Sequence, residues 1–183
     1  MSRLVLVVPL LLVSLASPAW AQSPAKPAPV ARMSAAECEV WARELSFARS
    51  AAEHEARASA AHLAPGTAFG VSQAEPTRGR EAVVSSWAGI IEGKGLKLAW
   101  YPTRTTIAAQ SPDVAWSTGP ALFESTDPKA PQRYRLSTYQ SVWQRGQDGV
   151  WRVLFDGGTP PAAASQADAE AFHAGRREQC PQA

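Results

Sequence analysis

Residues 133–156 read RYRLSTYQSVWQRGQDGVWRVLFD, and this stretch decides the fold. From Arg133 to Arg145 the residues follow the period of two that marks a long half-buried strand. Gln147-Asp148-Gly149 is a hairpin turn, with Gly149 free to take a positive φ. Val150 to Asp156 returns antiparallel to the first arm, and Gly157-Gly158-Thr159-Pro160-Pro161 closes the sheet. Upstream the same period continues. Val114 to Glu124 is a strand between a Ser111-Pro112-Asp113 turn and a loop from Thr126 to Pro131. Leu96, Leu98 and Trp100 alternate with Lys97, Ala99 and Tyr101. Pro102 interrupts that ladder, which marks an edge or a bulge, and the strand resumes through Ile107.

Further towards the N-terminus the period becomes helical. Val83, Val84, Trp87, Ile90 and Ile91 form the buried stripe of a helix from about Arg80 to Glu92, ended by Gly93 and Gly95. A short strand, Thr67 to Ser72, and a loop, Glu75 to Gly79, precede it. Ser34-x-x-Glu37 is a capping box opening a long helix towards His62, in which Cys38, Trp41, Leu45 and Ala48 share one face. Pro65-Gly66 stops that helix, and Ser165-x-x-Asp168 caps a short one reaching towards Cys180. Helices first and hairpin-linked strands after them predict an α+β domain: an antiparallel sheet with helices on one face.

The ends of the chain bear on its compartment. Arg3, the apolar run Leu4 to Leu15 and Ala19-Trp20-Ala21 read as a signal peptide over residues 1–21. The run is about a dozen residues, where a membrane span needs about 20. No cysteine follows it to carry a lipid. Residues 22–33, QSPAKPAPVARM, read as a disordered spacer; residues 34–161 form the domain and 162–183 a tail. The expected location is periplasmic or secreted, with no membrane contact after cleavage. In that setting Cys38 and Cys180 read as a disulfide, the alternative being two buried thiols. The formal charge of the 183-residue chain is +2, without blocks of one sign, so neither nucleic acid nor an anionic membrane is an expected partner.

Several segments in order resemble one family. They are Arg78-Gly79-Arg80-Glu81-Ala82, Leu98-Ala99-Trp100-Tyr101-Pro102, Ser111 to Gly119, Tyr139 to Arg145, Asp148 to Val153 and Phe155 to Pro160. Together they resemble the SnoaL-like branch of the nuclear transport factor 2-like superfamily, and within it the domain of unknown function numbered 4440. The resemblance covers about Glu37 to Pro161. It implies a cone: a strongly curved sheet wrapped around the long first helix, with an apolar pocket at the wide end. It also implies kinship with ketosteroid isomerase, cyclases, dehydratases and inert dimerisation modules, so the fold leaves function open.

Asp156 is the leading candidate for chemistry. It ends the last strand, where an aspartate beside an apolar pocket acts as a base, with Tyr139 or Tyr101 as the partner donor. The alternative is a turn cap on Gly157-Gly158. Trp100, Trp116, Trp143 and Trp151 lie on four successive strand segments and either line a pocket or fill ordinary sheet core. Trp100, Trp116, Tyr139 and Asp156 are expected around one cavity with Trp143, and Trp41 and Leu45 on its other wall. Arg133 and Arg135 share a face with Tyr139 and either meet an acidic ligand or stand exposed. His54 and His62 are eight apart, outside the spacing of a helical metal pair, and His173 is in the tail, so no metal is expected. No cofactor fingerprint is present. Three readings remain: an exported binding or accessory module for a small apolar or aromatic ligand, a cofactor-independent isomerase, cyclase or dehydratase with a carboxylate base, and a homodimeric scaffold with a filled cone.

Overall fold

A computed structural model describes residues 32–182. The expected signal peptide and most of the expected spacer lie outside the described residues. Met33, assigned to that spacer, is buried and bridges to Gln182 beside its backbone hydrogen bond to the Pro181 carbonyl, 2.9 Å.

Helix α1 spans Ala35–Ala52 and opens on the Ser34–Glu37 capping box, in which the Glu37 amide donates to the Ser34 hydroxyl and the Ser34 amide to the Glu37 carboxylate. The long helix read from the sequence is two helices. His54 takes φ +64°, a left-handed turn, and α2 (Ala56–Ala61) follows. The ring of His54 holds the turn by a 2.7 Å bond to the Ile91 carbonyl, a tertiary contact that helical period does not reveal. Pro65-Gly66 does not stop a helix either. Both residues lie inside β1 (Leu63–Phe69), at a shift in register between Leu63 and Ala68 where the strand pairs with β7 (Trp151–Gly158).

A two-residue strand β2 (Thr77–Arg78) leads into α3 (Arg80–Ser86) and α4 (Ala88–Ile91), a helical pair broken at Trp87. Strands β3 (Leu96–Trp100) and β4 (Arg104–Ala108) both pair with one long strand, β5 (Ser111–Ser125). Pro102 therefore marks an interruption, as expected. A Cβ on Gly119 of β5 would collide there with the Tyr101 carbonyl oxygen, so only glycine lets the kinked edge lie against β5. The Ser111-Pro112-Asp113 segment is strand, and the turn falls at Ala109-Gln110. Next come β6 (Tyr134–Arg145) and β7, joined by the hairpin with Gly149 at φ +74°.

The sheet has eight strands in the order β2-β1-β7-β6-β5-β3, with β4 on β5 and β8 (Ala162–Ala164) on β6. It is antiparallel except for the β1–β7 pair, a correction to the all-antiparallel expectation. Gly157 and Gly158 continue β7 instead of ending the sheet before it. Helix α5 (Gln166–Gly175) begins at a second capping box, Ser165–Asp168. Beyond it, Cys180 is bonded to Cys38 with Cα atoms 5.6 Å apart, as the cysteine count implied.

Candidate functional site: a cavity between α1 and the inner face of the sheet

The register across the sheet lays out the inner face row by row. Trp143 of β6 faces Ala115 of β5, Ser141 faces Ser117, Tyr139 faces Gly119 and Ser137 faces Ala121. On the other side of β6, Ser141 pairs with Asp156 of β7. Every inner position of β5 from 115 to 121 is therefore Ala, Ser or Gly. Small residues leave room for larger side chains from α1 and β6 to converge in a curled sheet. Phe47 of α1 occupies the centre. Its ring lies 5.1 Å from Trp100, 6.1 Å from Trp87 and 6.4 Å from Trp143 between centroids.

The space left over is a cavity of about 560 Å³. Phe47, Phe69, Trp87, Trp100, Phe123 and Tyr139 give it six aromatic walls, and Asp156 is the one carboxylate that lines it. Gly70, Ser72 and Gln73 and the segment Gly157 to Pro161 complete the lining, two neighbouring stretches joined where the Val71 amide donates to the Asp156 carbonyl, 3.1 Å. Ser72 Oγ also ties the two stretches by donating to the Gly158 carbonyl, 3.1 Å. A volume of this size with few polar groups fits a small organic ligand.

The polar groups form a network at and beneath the cavity floor. Ser141 Oγ donates to Asp156 Oδ2 at 2.7 Å, and the hydroxyls of Ser117 and Tyr139 lie 3.1 Å apart. Below them Glu44 of α1 is fully enclosed. Its two oxygens accept the indole N–H groups of Trp100, 2.7 Å, and Trp143, 2.8 Å. Burial pushes the Glu44 carboxyl up to about 7, opposed by these hydrogen bonds and that of Ser117. Burial also pushes Asp156 up to about 8; the Ser141 bond opposes this and the nearby Glu44 adds to it. By surface area Asp156 is only half-buried, because it borders the cavity, yet protein surrounds it closely enough for desolvation to govern its titration. The Tyr139 phenol is raised well above its usual value, first by burial and then by the two carboxyls.

No family model and no curated protein matches the sequence. Solved structures do match. A ketosteroid isomerase-like protein from Erwinia carotovora atroseptica superposes with a TM-score of 0.55 at 10% identity, covering 70% of this chain and 100% of that one. A nuclear transport factor 2-like superfamily protein from Salmonella enterica serovar Typhimurium gives 0.53 at 17% identity, over 73% and 96%. A protein from Catenulispora acidiphila, solved in complex with S-DNPA, gives 0.51 at 18% identity, over 66% and 89%.

The fold is the nuclear transport factor 2-like cone.

Within this nuclear transport factor 2-like cone, the structure brings Trp100, Tyr139 and Asp156 to one cavity. It does not bring the other expected residues there. Trp116 points to the outer face, level with Val142 and Thr106, because the inner positions of β5 have the opposite parity. Trp143 is wholly buried below the floor. Trp41 and Leu45 lie in a second cluster with Tyr101, Leu122 and Phe172, away from the cavity. Tyr101 packs on Phe172 at 4.9 Å and cannot be the donor beside Asp156. Arg133 pairs with Glu124 at 2.7 Å, and Arg135 is exposed. His62 is buried and held below its usual value, to about 4, first by burial and then by Arg43. Its Nδ1–H donates to the Ala58 carbonyl, 2.8 Å, so Nε2 accepts from Ser46 Oγ, 3.0 Å. Among the described residues no three His, Cys, Asp or Glu side chains cluster as a metal site.

Sequence reasoning missed Glu44. One signal was present: it stands three residues after Trp41 and three before Phe47, on a helix face that is otherwise apolar. A carboxylate at such a position is buried with partners or the helix does not pack.

Proposed function

We propose that this protein binds a small, largely apolar molecule in the cone's cavity, with Asp156 as its main polar contact. The observation that carries the reading is a cavity of about 560 Å³ walled by aromatic rings, with one carboxyl reaching into it. The open space argues against a filled, purely structural cone. The S-DNPA complex of the Catenulispora protein supports small-molecule binding as a use of this fold, at the level of analogy.

The choice between binding and catalysis turns on protonation. At neutral pH a carboxyl with its pKa near 8 is mostly the neutral acid, a hydrogen-bond donor and a poor base. No other carboxylate lines the cavity to abstract a proton. An isomerase, cyclase or dehydratase would therefore use Asp156 itself as base, with activity rising through about pH 8. A binding or accessory role outside the cytoplasm is the better fit, and the Cys38–Cys180 bond supports an oxidising compartment. We also propose homodimerisation through the outer row Trp116, Val142 and Phe155, whose last member is 40% exposed; Phe155→Glu should then sediment as a monomer.

Binding is tested by titrating a hydrophobic fluorescent dye and following quenching of the tryptophans. Ala121→Phe, which fills the cavity from β5, should abolish the signal while the protein keeps its circular dichroism. Undiminished dye binding by that folded variant would overturn the assignment of the cavity.

A further inference from the structure

We infer that the ligand of this cavity is a cation: an apolar body carrying a quaternary or protonated amine, its positive head against Asp156 Oδ1 and its substituents among the rings. The inference rests on the binding reading above and adds the ligand's charge.

The first observation is an imbalance of charge. Asp156 lines the cavity and Glu44 lies beneath its floor, close enough to raise the Asp156 pKa. The lining residues include no Lys, Arg or His. The groups that face Asp156 from the packed elements are Glu44 on α1, and Tyr139 and Ser141 on β6. Two are acids that lose a proton to become anions and none is a cation. Buried carboxylates normally sit with a counter-charge or stay protonated. A cationic ligand would supply the missing partner.

The second observation concerns where the donors point. The Trp100 and Trp143 N–H groups are both engaged by Glu44, and the Tyr139 hydroxyl is paired with Ser117. With these groups engaged within the protein, the side-chain donors left in the lining, Gln73, Ser137 and Thr159 among them, are neutral, and none carries a positive charge to hold an anionic ligand. The acceptor side is open. Ser141 takes Asp156 Oδ2, whereas Oδ1 has no hydrogen-bond partner among the described residues and is not sealed in by protein.

The third observation is the wall. Six aromatic rings line the same cavity as the one carboxyl, and an ammonium seated over a ring face is attracted by it as well as by the acid. A neutral isostere of the same shape gains neither interaction. Glu44 contributes indirectly: by holding the Trp100 indole through its N–H, it fixes one ring of the wall.

The test uses three ligands with one naphthyl body and different charge: (1-naphthylmethyl)trimethylammonium, its uncharged carbon isostere, and 1-naphthylacetate. On the unaltered protein at pH 7, the ammonium should bind at least about tenfold tighter than the isostere, with the acetate weakest. A quaternary ammonium carries no titratable proton. Its binding should therefore expel the Asp156 proton, seen by calorimetry as release approaching one proton at pH 7 and disappearing above about pH 9. In Asp156→Asn the preference for the ammonium and the proton release should both vanish while isostere binding persists. Equal or tighter binding of the isostere or the acetate overturns the inference and leaves the binding reading intact, as does an unchanged preference in Asp156→Asn. Failure of all three ligands and of the hydrophobic dye overturns both. The three-ligand comparison on the unaltered protein decides the matter even if the variant does not fold.

Discussion

Helix α1 supports two apolar clusters that end in opposite ways. Towards the inner face of the sheet, Val40, Phe47, Ala48 and Ala51 meet Trp100, Ala121, Tyr139 and Trp143, and the cluster stops short of filling its space. On another face of the same helix, Cys38, Trp41 and Leu45 meet Tyr101, Leu122, Ala169 and Phe172, and that cluster is sealed by α5 and the disulfide. The row Ala99, Leu122 and Leu136 runs across β3, β5 and β6 into the sealed cluster, while its neighbours Trp100, Ala121 and Ser137 line the cavity. One sheet thus has a stapled side that can contribute rigidity and an open side that can accept a ligand. The two carboxyls raised by burial, Glu44 and Asp156, both belong to the open side.

The largest expected effect breaks the sealed side alone. Replacing Cys38 and Cys180 by Ser removes a crosslink spanning 142 residues of sequence and should cost about 2–5 kcal/mol in denaturant unfolding. Dye binding in the cavity should be unchanged; parallel loss of binding would show that the two sides are one unit. The next break is at the hinge between them. Glu44→Leu leaves the Trp100 and Trp143 N–H groups without their acceptor and should cost about 2–4 kcal/mol. Because Trp100 walls the cavity, this variant should weaken dye binding too, unlike the cysteine pair. Stability without loss would mean that the indoles find other acceptors.

A pH titration sharpens the comparison further. Asp156 is raised from 3.8 to about 8 and Glu44 from 4.5 to about 7 in the native state. The native protein therefore holds protons that the unfolded chain has released. The stabilisation from these two carboxyls is complete below about pH 4, falls as pH rises to about 8, and levels off above. His62, held down to about 4, opposes the fall between about pH 4 and 6.5, and Asp148, held down to about 2, loses its contribution in stronger acid. The net curve should therefore peak near pH 4 and fall towards pH 8. Asp156→Asn should flatten the upper part of that slope, as read from denaturation midpoints across the range. A wild-type curve that rises between pH 5 and 8 would contradict the buried, raised carboxyls. The smallest effect should come from Ser34→Ala, which breaks the capping box at the start of α1 and should cost about 1 kcal/mol at neutral pH, less in acid where Glu37 is protonated, with binding unaffected.

Local chemistry was legible in the residues themselves. Both capping boxes, the Gly149 hairpin, the break at Pro102 and the cysteine pair needed no knowledge of the rest of the chain. Each depends on bonds within a few residues, or on compartment and count. Misreadings arose where distant contacts override local preference. The α1–α2 break is held by His54 on Ile91, and Pro65 is tolerated at a register shift against β7. Of the site, Asp156, Tyr139 and Trp100 were legible as candidates, and Glu44 was not recognised although its apolar neighbours marked it.

The sequence by itself determined the α+β order, the β6–β7 hairpin and the residue types available for a site. Only the tertiary structure decided which face of each strand turned inwards. Alternation fixes that residues 115, 117, 119 and 121 share a face and that Trp116 lies on the other; it does not say which face is the core. Hydrophobicity alone favoured Trp116 inside. Curling the sheet around α1 crowds its inner face, so Ala, Ser and Gly went in and Trp116 went out. The room those small residues left was taken by Phe47, Trp100 and Trp143, and what these rings did not fill became the cavity over Asp156.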